Sequence, residues 1–151
     1  LQGSAPKGIV GTWRLVRFED FENGKTIRRF GEKPTGLFVY TADGHIIIQI
    51  ANPANPACIT PAKSALPGIK SDRLLSSCKA GQFETLLDGT VAYWGTCSVD
   101  ASGRMVTHNV IADVANGYAG TAQPRPFSLN GDQLILGDGK TSIRVLERVV
   151  R

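Results

Sequence analysis

Apolar and polar residues alternate with a period of two along most of this chain, in short segments bounded by turn residues. The first such segment is Gly11-Thr12-Trp13-Arg14-Leu15-Val16-Arg17-Phe18. Strand side chains point alternately to opposite faces, so Trp13, Leu15 and Arg17 are expected on one face and Thr12, Arg14, Val16 and Phe18 on the other. Further segments of strand length cover 25–30, 36–41, 45–51, 90–99, 104–114, 118–128, 133–137 and 141–149. Between them stand Asn23-Gly24, Asp43-Gly44, Asp88-Gly89, Ser102-Gly103, Asn116-Gly117, Asn130-Gly131 and Asp138-Gly139. Such pairs supply the positive φ angles of tight hairpins. Consecutive strands joined by tight turns make an antiparallel meander, and eight or nine of them in one domain tend to close. Closure removes the unpaired edges on which other chains would add. The prediction is an all-β fold, a closed antiparallel barrel of eight or nine strands, with an open sandwich as the other architecture. A Trp two residues after a Gly at the head of the first strand suits the closed end of a barrel, where a large ring plugs the floor.

One region breaks the rhythm. Residues 52–82 carry Pro53, Pro56, Pro61 and Pro67, and a connection this long in a compact domain is often a functional lid. Ser71-Asp72-Arg73-Leu74-Leu75 reads as a capped helix start, with Leu74, Leu75, Cys78, Leu86 and Leu87 as an apolar face and Gly81 as a breaker. Domain organisation follows: a flexible tail at 1–10, a barrel at 11–151, and a Pro-rich insertion within it that is either a lid or a plain surface arm.

Composition narrows the classes. With 151 residues, 42% hydrophobic and 20% charged, the chain suffices for one self-supporting domain. The net charge of +4 is scattered rather than gathered into a basic patch with stacking aromatics, so no nucleic-acid partner is expected. Apolar runs such as Ile46-Ile47-Ile48 are too short to span a bilayer as helices, and no membrane partner is expected. Of the three cysteines, Cys58 and Cys78 are the preferred disulfide, with Cys97 as a small core residue. That bridge would place the protein in a secreted or otherwise oxidising compartment, and without it a cytoplasmic location stays open.

Candidate chemistry is sparse. The two histidines, His45 and His108, lack metal-ligand spacing, so no metal is expected. There is no GxSxG elbow, no phosphate cradle, no dinucleotide turn and no evident carboxylate pair. No cofactor is expected. A pocket of this kind would be mostly apolar with a few convergent polar groups, for which Tyr40, Gln49, Tyr93, His108 and Arg125 are the nominees. Each has the competing reading of a satisfied buried hydrogen bond. Which strand faces point inward is not fixed by the pattern, because both are rather apolar.

Several pieces, taken in order, resemble the bacterial and fungal lipocalin-like domain family. They are Gly11-Thr12-Trp13-Arg14-Leu15-Val16, then Phe30-Gly31-Glu32-Lys33-Pro34-Thr35-Gly36 running into Tyr40-Thr41-Ala42-Asp43-Gly44, Val91-Ala92-Tyr93-Trp94-Gly95-Thr96, His108, and Gly120-Thr121-Ala122-Gln123-Pro124-Arg125. The resemblance omits the N-terminal tail and the insertion, and Thr107 stands where a second histidine is usual. It implies a small antiparallel lipocalin-like β-barrel with an internal cavity, to which the segment from Ser71 would add one short helix. It also implies kinship with cyclases, isomerases and pericyclases of natural-product biosynthesis.

On that footing, the expected function is to bind a small hydrophobic polyketide- or terpenoid-like molecule and promote its cyclisation, isomerisation or Diels-Alder-type cycloaddition. Such a reaction gains from proximity and a few aimed hydrogen bonds. Trp13 is the expected floor, and Tyr93 and Trp94 are aromatic walls. Phe38, Gln49 and Tyr118 are further ligand contacts. Tyr40, His108 and Arg125 would polarise a carbonyl-type oxygen, His108 as acid or base because histidine ordinarily titrates near neutrality. The alternatives are a non-catalytic carrier, which a homodimer would equally suit, and a filled barrel that binds nothing.

Overall fold

The computed structural model describes residues 8–56, 78–114 and 116–149. Nine strands and one helix lie within them: β1 (Gly11–Glu22), β2 (Lys25–Ile27), β3 (Thr35–Tyr40), β4 (His45–Ala51), α1 (Ala80–Asp88), β5 (Thr90–Val99), β6 (Met105–Asp113), β7 (Ala122–Asn130), β8 (Gln133–Leu136) and β9 (Ser142–Arg148). Eight strands, β1 and β3 to β9, pair antiparallel in sequence order, and β9 returns to pair with β1. The result is a closed eight-stranded barrel. The ninth strand, β2, is an extra hairpin partner for the far end of β1, from Asp20 to Glu22. Its two-residue turn has positive φ at both Asn23 (50°) and Gly24 (73°), as a twist-matched hairpin requires.

The period-two reading of β1 holds only to its middle. The register shifts between Leu15 and Arg17 in the pairing with β9, which is a β-bulge. The extra residue exchanges the faces: Trp13 and Leu15 are buried inside, Arg17 is exposed, and Phe18 and Asp20 then face the interior. Elsewhere the alternation resolves cleanly. Phe38 and Tyr40 of β3, Ile46, Ile48 and Ile50 of β4, Tyr93 and Cys97 of β5, and Val106, His108 and Val110 of β6 form the core with Leu134, Leu136 and Leu146.

The closed end is built around Trp13. Its indole N–H donates to the Ile9 carbonyl at 2.8 Å, and the Arg148 guanidinium covers the ring with its carbon 4.1 Å from the centroid. Arg148 also donates to the carbonyls of Val10 and Gly8 and meets Asp132 at 3.3 Å. Residues 8–10 are therefore fastened to the barrel and Ile9 is fully buried, where a flexible tail through residue 10 was expected. Gly11 has φ +143°, and a Cβ there would lie 2.6 Å from Arg148 Nη1. The glycine makes room for that side chain rather than for a neighbouring backbone.

At the opposite end, the segment after β2 folds inward: Phe30 is fully buried and meets Phe18 edge-on at 4.6 Å. Arg29 donates to the Asp88 carbonyl at the end of α1. Gly81 sits in the first turn of α1 rather than breaking it, and none of its residues is buried. Leu86 and Leu87 are half-buried. The expected helix start at Ser71, residues 57–77 of the 52–82 insertion expected as a lid or surface arm, and the Cys58 half of the expected Cys58–Cys78 bridge lie outside the described residues. Cys97 is a free, buried thiol, as its core assignment requires.

Candidate functional site

Closure leaves a partly enclosed cavity of about 120 Å³ between the barrel centre and the end opposite Trp13. Its lining combines apolar Phe18, Phe38, Ile48, Ile50, Val91 and Leu136 with polar Asp20, Arg29, Tyr93, Tyr118, Arg125 and Arg144. Tyr118 precedes β7 instead of starting it. Its ring meets Tyr93 edge-on, with centroids 6.0 Å apart.

Beneath the cavity, His108 is fully buried between two phenols. Tyr40 Oη lies 2.8 Å from Nε2 and Tyr93 Oη 2.8 Å from Nδ1. Burial, reinforced by the nearby charge of Arg125, pushes His108 down from its ordinary 6.5 to about 3. It is therefore neutral at physiological pH, which corrects its expected role as an acid or base near neutrality. Burial also raises both phenols: Tyr40 goes well above its ordinary value, and Tyr93 reaches about 12 despite the offsetting Arg125 guanidinium beside it. Proton exchange through this group is suppressed from both sides.

A neutral imidazole has one N–H and one lone pair, so the chain of three residues has a direction. The Tyr40 hydroxyl is buried and makes no other hydrogen bond among the described residues. If it accepted from Nε2–H, its own O–H would be stranded in apolar surroundings, at a cost of about 1–3 kcal/mol. Tyr40 therefore donates to Nε2, and His108 Nδ1–H donates to Tyr93. The Tyr93 O–H is left over, and Tyr93 is the member of the three that lines the cavity.

The arginines differ in how they are committed. Arg144 is bonded to Asp20 at 2.7 Å and to the Glu19 carbonyl, and lies over the Phe18 ring. Arg29 is held by the Asp88 carbonyl. Arg125 donates to the Gln123 side-chain oxygen at 2.6 Å, also hydrogen-bonds the Tyr93 hydroxyl, and meets no carboxylate among the described residues.

Of the residues nominated from the sequence, Tyr40, Tyr93, His108 and Arg125 converge, with Phe38 and Tyr118 around the same space. Trp13 plugs the floor but does not line the cavity. Gln49 and Trp94 face outward: Gln49 is exposed and Trp94 is 46% exposed, lining shallow grooves on the outer surface of β4 and β5. Inward Ile48 and Tyr93 fix them there by alternation. Phe18, Asp20 and Arg144 were missed. The bulge hides the first two; an arginine set among Ile143, Val145 and Leu146 was the readable signal for the third. Among the described residues no cluster of His, Cys, Asp or Glu could hold a metal ion, and no helix is long and apolar enough to cross a membrane.

The sequence profile of the lipocalin-like domain matches residues 10–147, and the chain belongs to that family. Its barrel suits the binding of small hydrophobic molecules. No curated protein matches the chain. Among solved structures, a lipoprotein YedD from Klebsiella pneumoniae subsp. pneumoniae MGH 78578 is similar at 10% identity and a TM-score of 0.44, covering 100% of this chain and 80% of that one.

Proposed function

We propose that the protein binds a small apolar molecule, with an oxygen-bearing end, inside the barrel. The observation that carries this reading is a cavity lined by aliphatic and aromatic side chains into which Tyr93 and Arg125 also project. A volume near 120 Å³ falls below the ~300–1,000 Å³ of pockets for drug-sized ligands and near that of engineered cavities that hold one aromatic ring. The enclosed part of the ligand is therefore ring-sized, and a larger polyketide- or terpenoid-like molecule would leave its remainder outside.

Ring-sized apolar molecules should raise the unfolding temperature in proportion to the logarithm of their concentration above Kd. Val91→Trp should fill the space and abolish that effect while the unliganded barrel still unfolds cooperatively. If no such molecule stabilises the wild type, or if Val91→Trp leaves the effect intact, the reading fails.

Promotion of cyclisation, isomerisation or cycloaddition is the second reading, and the phenol and guanidinium donors in the lining favour it. Both could stabilise negative charge developing on a carbonyl oxygen without a covalent step. His108 would take no proton in such a reaction. Conversion of a bound substrate to an isomer of equal mass, lost in Arg125→Gln, would establish it over simple carriage.

A further inference from the structure

We propose that the barrel receives a planar carboxylate as the head of its ligand, held by Arg125 and by a Tyr93 O–H that Tyr40 and His108 orient toward it. The proposal rests on the cavity-binding reading above and adds the chemistry of the head.

Charge on the cavity wall is unbalanced. Three arginines face one aspartate, and that aspartate is already bonded to Arg144. Among the described residues Arg125 meets neutral partners only, Gln123 and the Tyr93 hydroxyl, so its charge is unmatched and its remaining N–H groups are open to a ligand. A guanidinium offers parallel N–H donors that match the two oxygens of a carboxylate, whereas a neutral carbonyl uses fewer of them. Tyr93 adds a directed donor. Its oxygen is engaged by His108 Nδ1 at 2.8 Å, and Tyr40 fixes the other imidazole nitrogen at 2.8 Å. His108 and Tyr40 are positioning residues: they touch no ligand, and they determine that Tyr93, which accepts from His108, has its own O–H free to donate to the ligand. The apolar part of the lining, with Phe38, Ile48 and Leu136, accommodates the ring to which the carboxylate is attached.

Benzoate and benzamide are nearly equal in shape and differ in charge, and their binding to the full chain by titration calorimetry tests the proposal. Benzoate is expected to bind about ten- to hundred-fold more tightly, the difference a charge-assisted pair brings. Arg125→Gln should erase the preference while leaving benzamide within about three-fold, Arg125→Lys should restore part of it, and Tyr93→Phe should weaken benzoate most. The orientation is read separately from long-range ¹H–¹⁵N correlations of the wild type, with His45→Gln assigning the remaining imidazole. His108 should carry its proton on Nδ1. Equal or tighter binding of benzamide overturns the carboxylate head and leaves cavity binding standing. Binding of neither probe overturns both. A proton on Nε2 overturns the orienting role of Tyr40 and His108, whatever the affinities.

Discussion

Acidification from pH 7 to pH 5 should destabilise this barrel through a single side chain. His108 in the folded protein titrates near 3, against 6.5 when exposed, because burial between Tyr40 and Tyr93 penalises its charge. Between those values the unfolded chain binds a proton that the folded chain refuses, so stability rises with pH across the window and falls as acid is added. At pH 7 about a quarter of exposed imidazoles are charged; at pH 5 nearly all are. The unfolded state gains a factor of roughly 25 in weight, or about 2 kcal/mol, and continued acidification to pH 3 brings the total to about 4 kcal/mol. Asp43, Asp100, Asp113 and Asp138 are all held below the ordinary carboxylate value of 3.8, so their contribution is lost only as pH falls through that value and below, which leaves the interval from pH 7 to pH 5 clear. Urea unfolding at pH 7, 6 and 5 measures the effect directly. In His108→Gln, which keeps polar contacts but cannot ionise, the slope should disappear even though overall stability drops. A wild type equally stable at pH 7 and 5 would refute the neutral, desolvated histidine, and so would a His108→Gln protein with the full slope.

Two further substitutions test the packing. Gly95 lies at a register shift in the β5–β6 pairing, and a Cβ there would run into the Asn109 carbonyl, its carbon 2.9 Å and the Val110 Cα 3.0 Å away. Gly95→Ala should therefore cost at least about 1–3 kcal/mol, seen as a lower urea midpoint at unchanged slope, and a neutral result would mean the strands separate easily. Trp94→Gln removes a half-exposed outer ring and should leave stability within about 0.5 kcal/mol and benzoate affinity unchanged. A change in affinity would place that ring at the site after all.

Strand existence and order were legible because alternation and Asn-Gly or Asp-Gly turns are local properties. The segments 45–51 and 90–99 coincide with β4 and β5. What was not legible is which face of each strand meets the interior, since Ile46, Ile48 and Ile50 alternate with Ile47, itself apolar and half-exposed. Gln49 and Trp94 were misplaced for that reason. The bulge in β1 was invisible because it depends on how β9 aligns, a pairing across almost the whole chain. The histidine's chemistry was misread for a related cause: an isolated imidazole titrates near neutrality, and only the fold brings two phenols and an arginine around it. Tyr40, Tyr93, His108 and Arg125 were found because polar groups on apolar strands are conspicuous. Their direction of hydrogen bonding required coordinates.

The seam between β1 and β9 joins Trp13 to Arg148, so the barrel is closed by its first and last strands. During synthesis β1 emerges early and can pair at once with β2 and β3, yet its other edge has no partner until β9 leaves the ribosome. The contacts that anchor Trp13 to Arg148 have among the largest sequence separations available to the chain, and such contacts form slowly. Closure is thus a late event, and until it occurs both the β1 edge and the unfinished interior are open to other chains. The burden of avoiding aggregation falls on the interval between the emergence of the first strand and the arrival of the last.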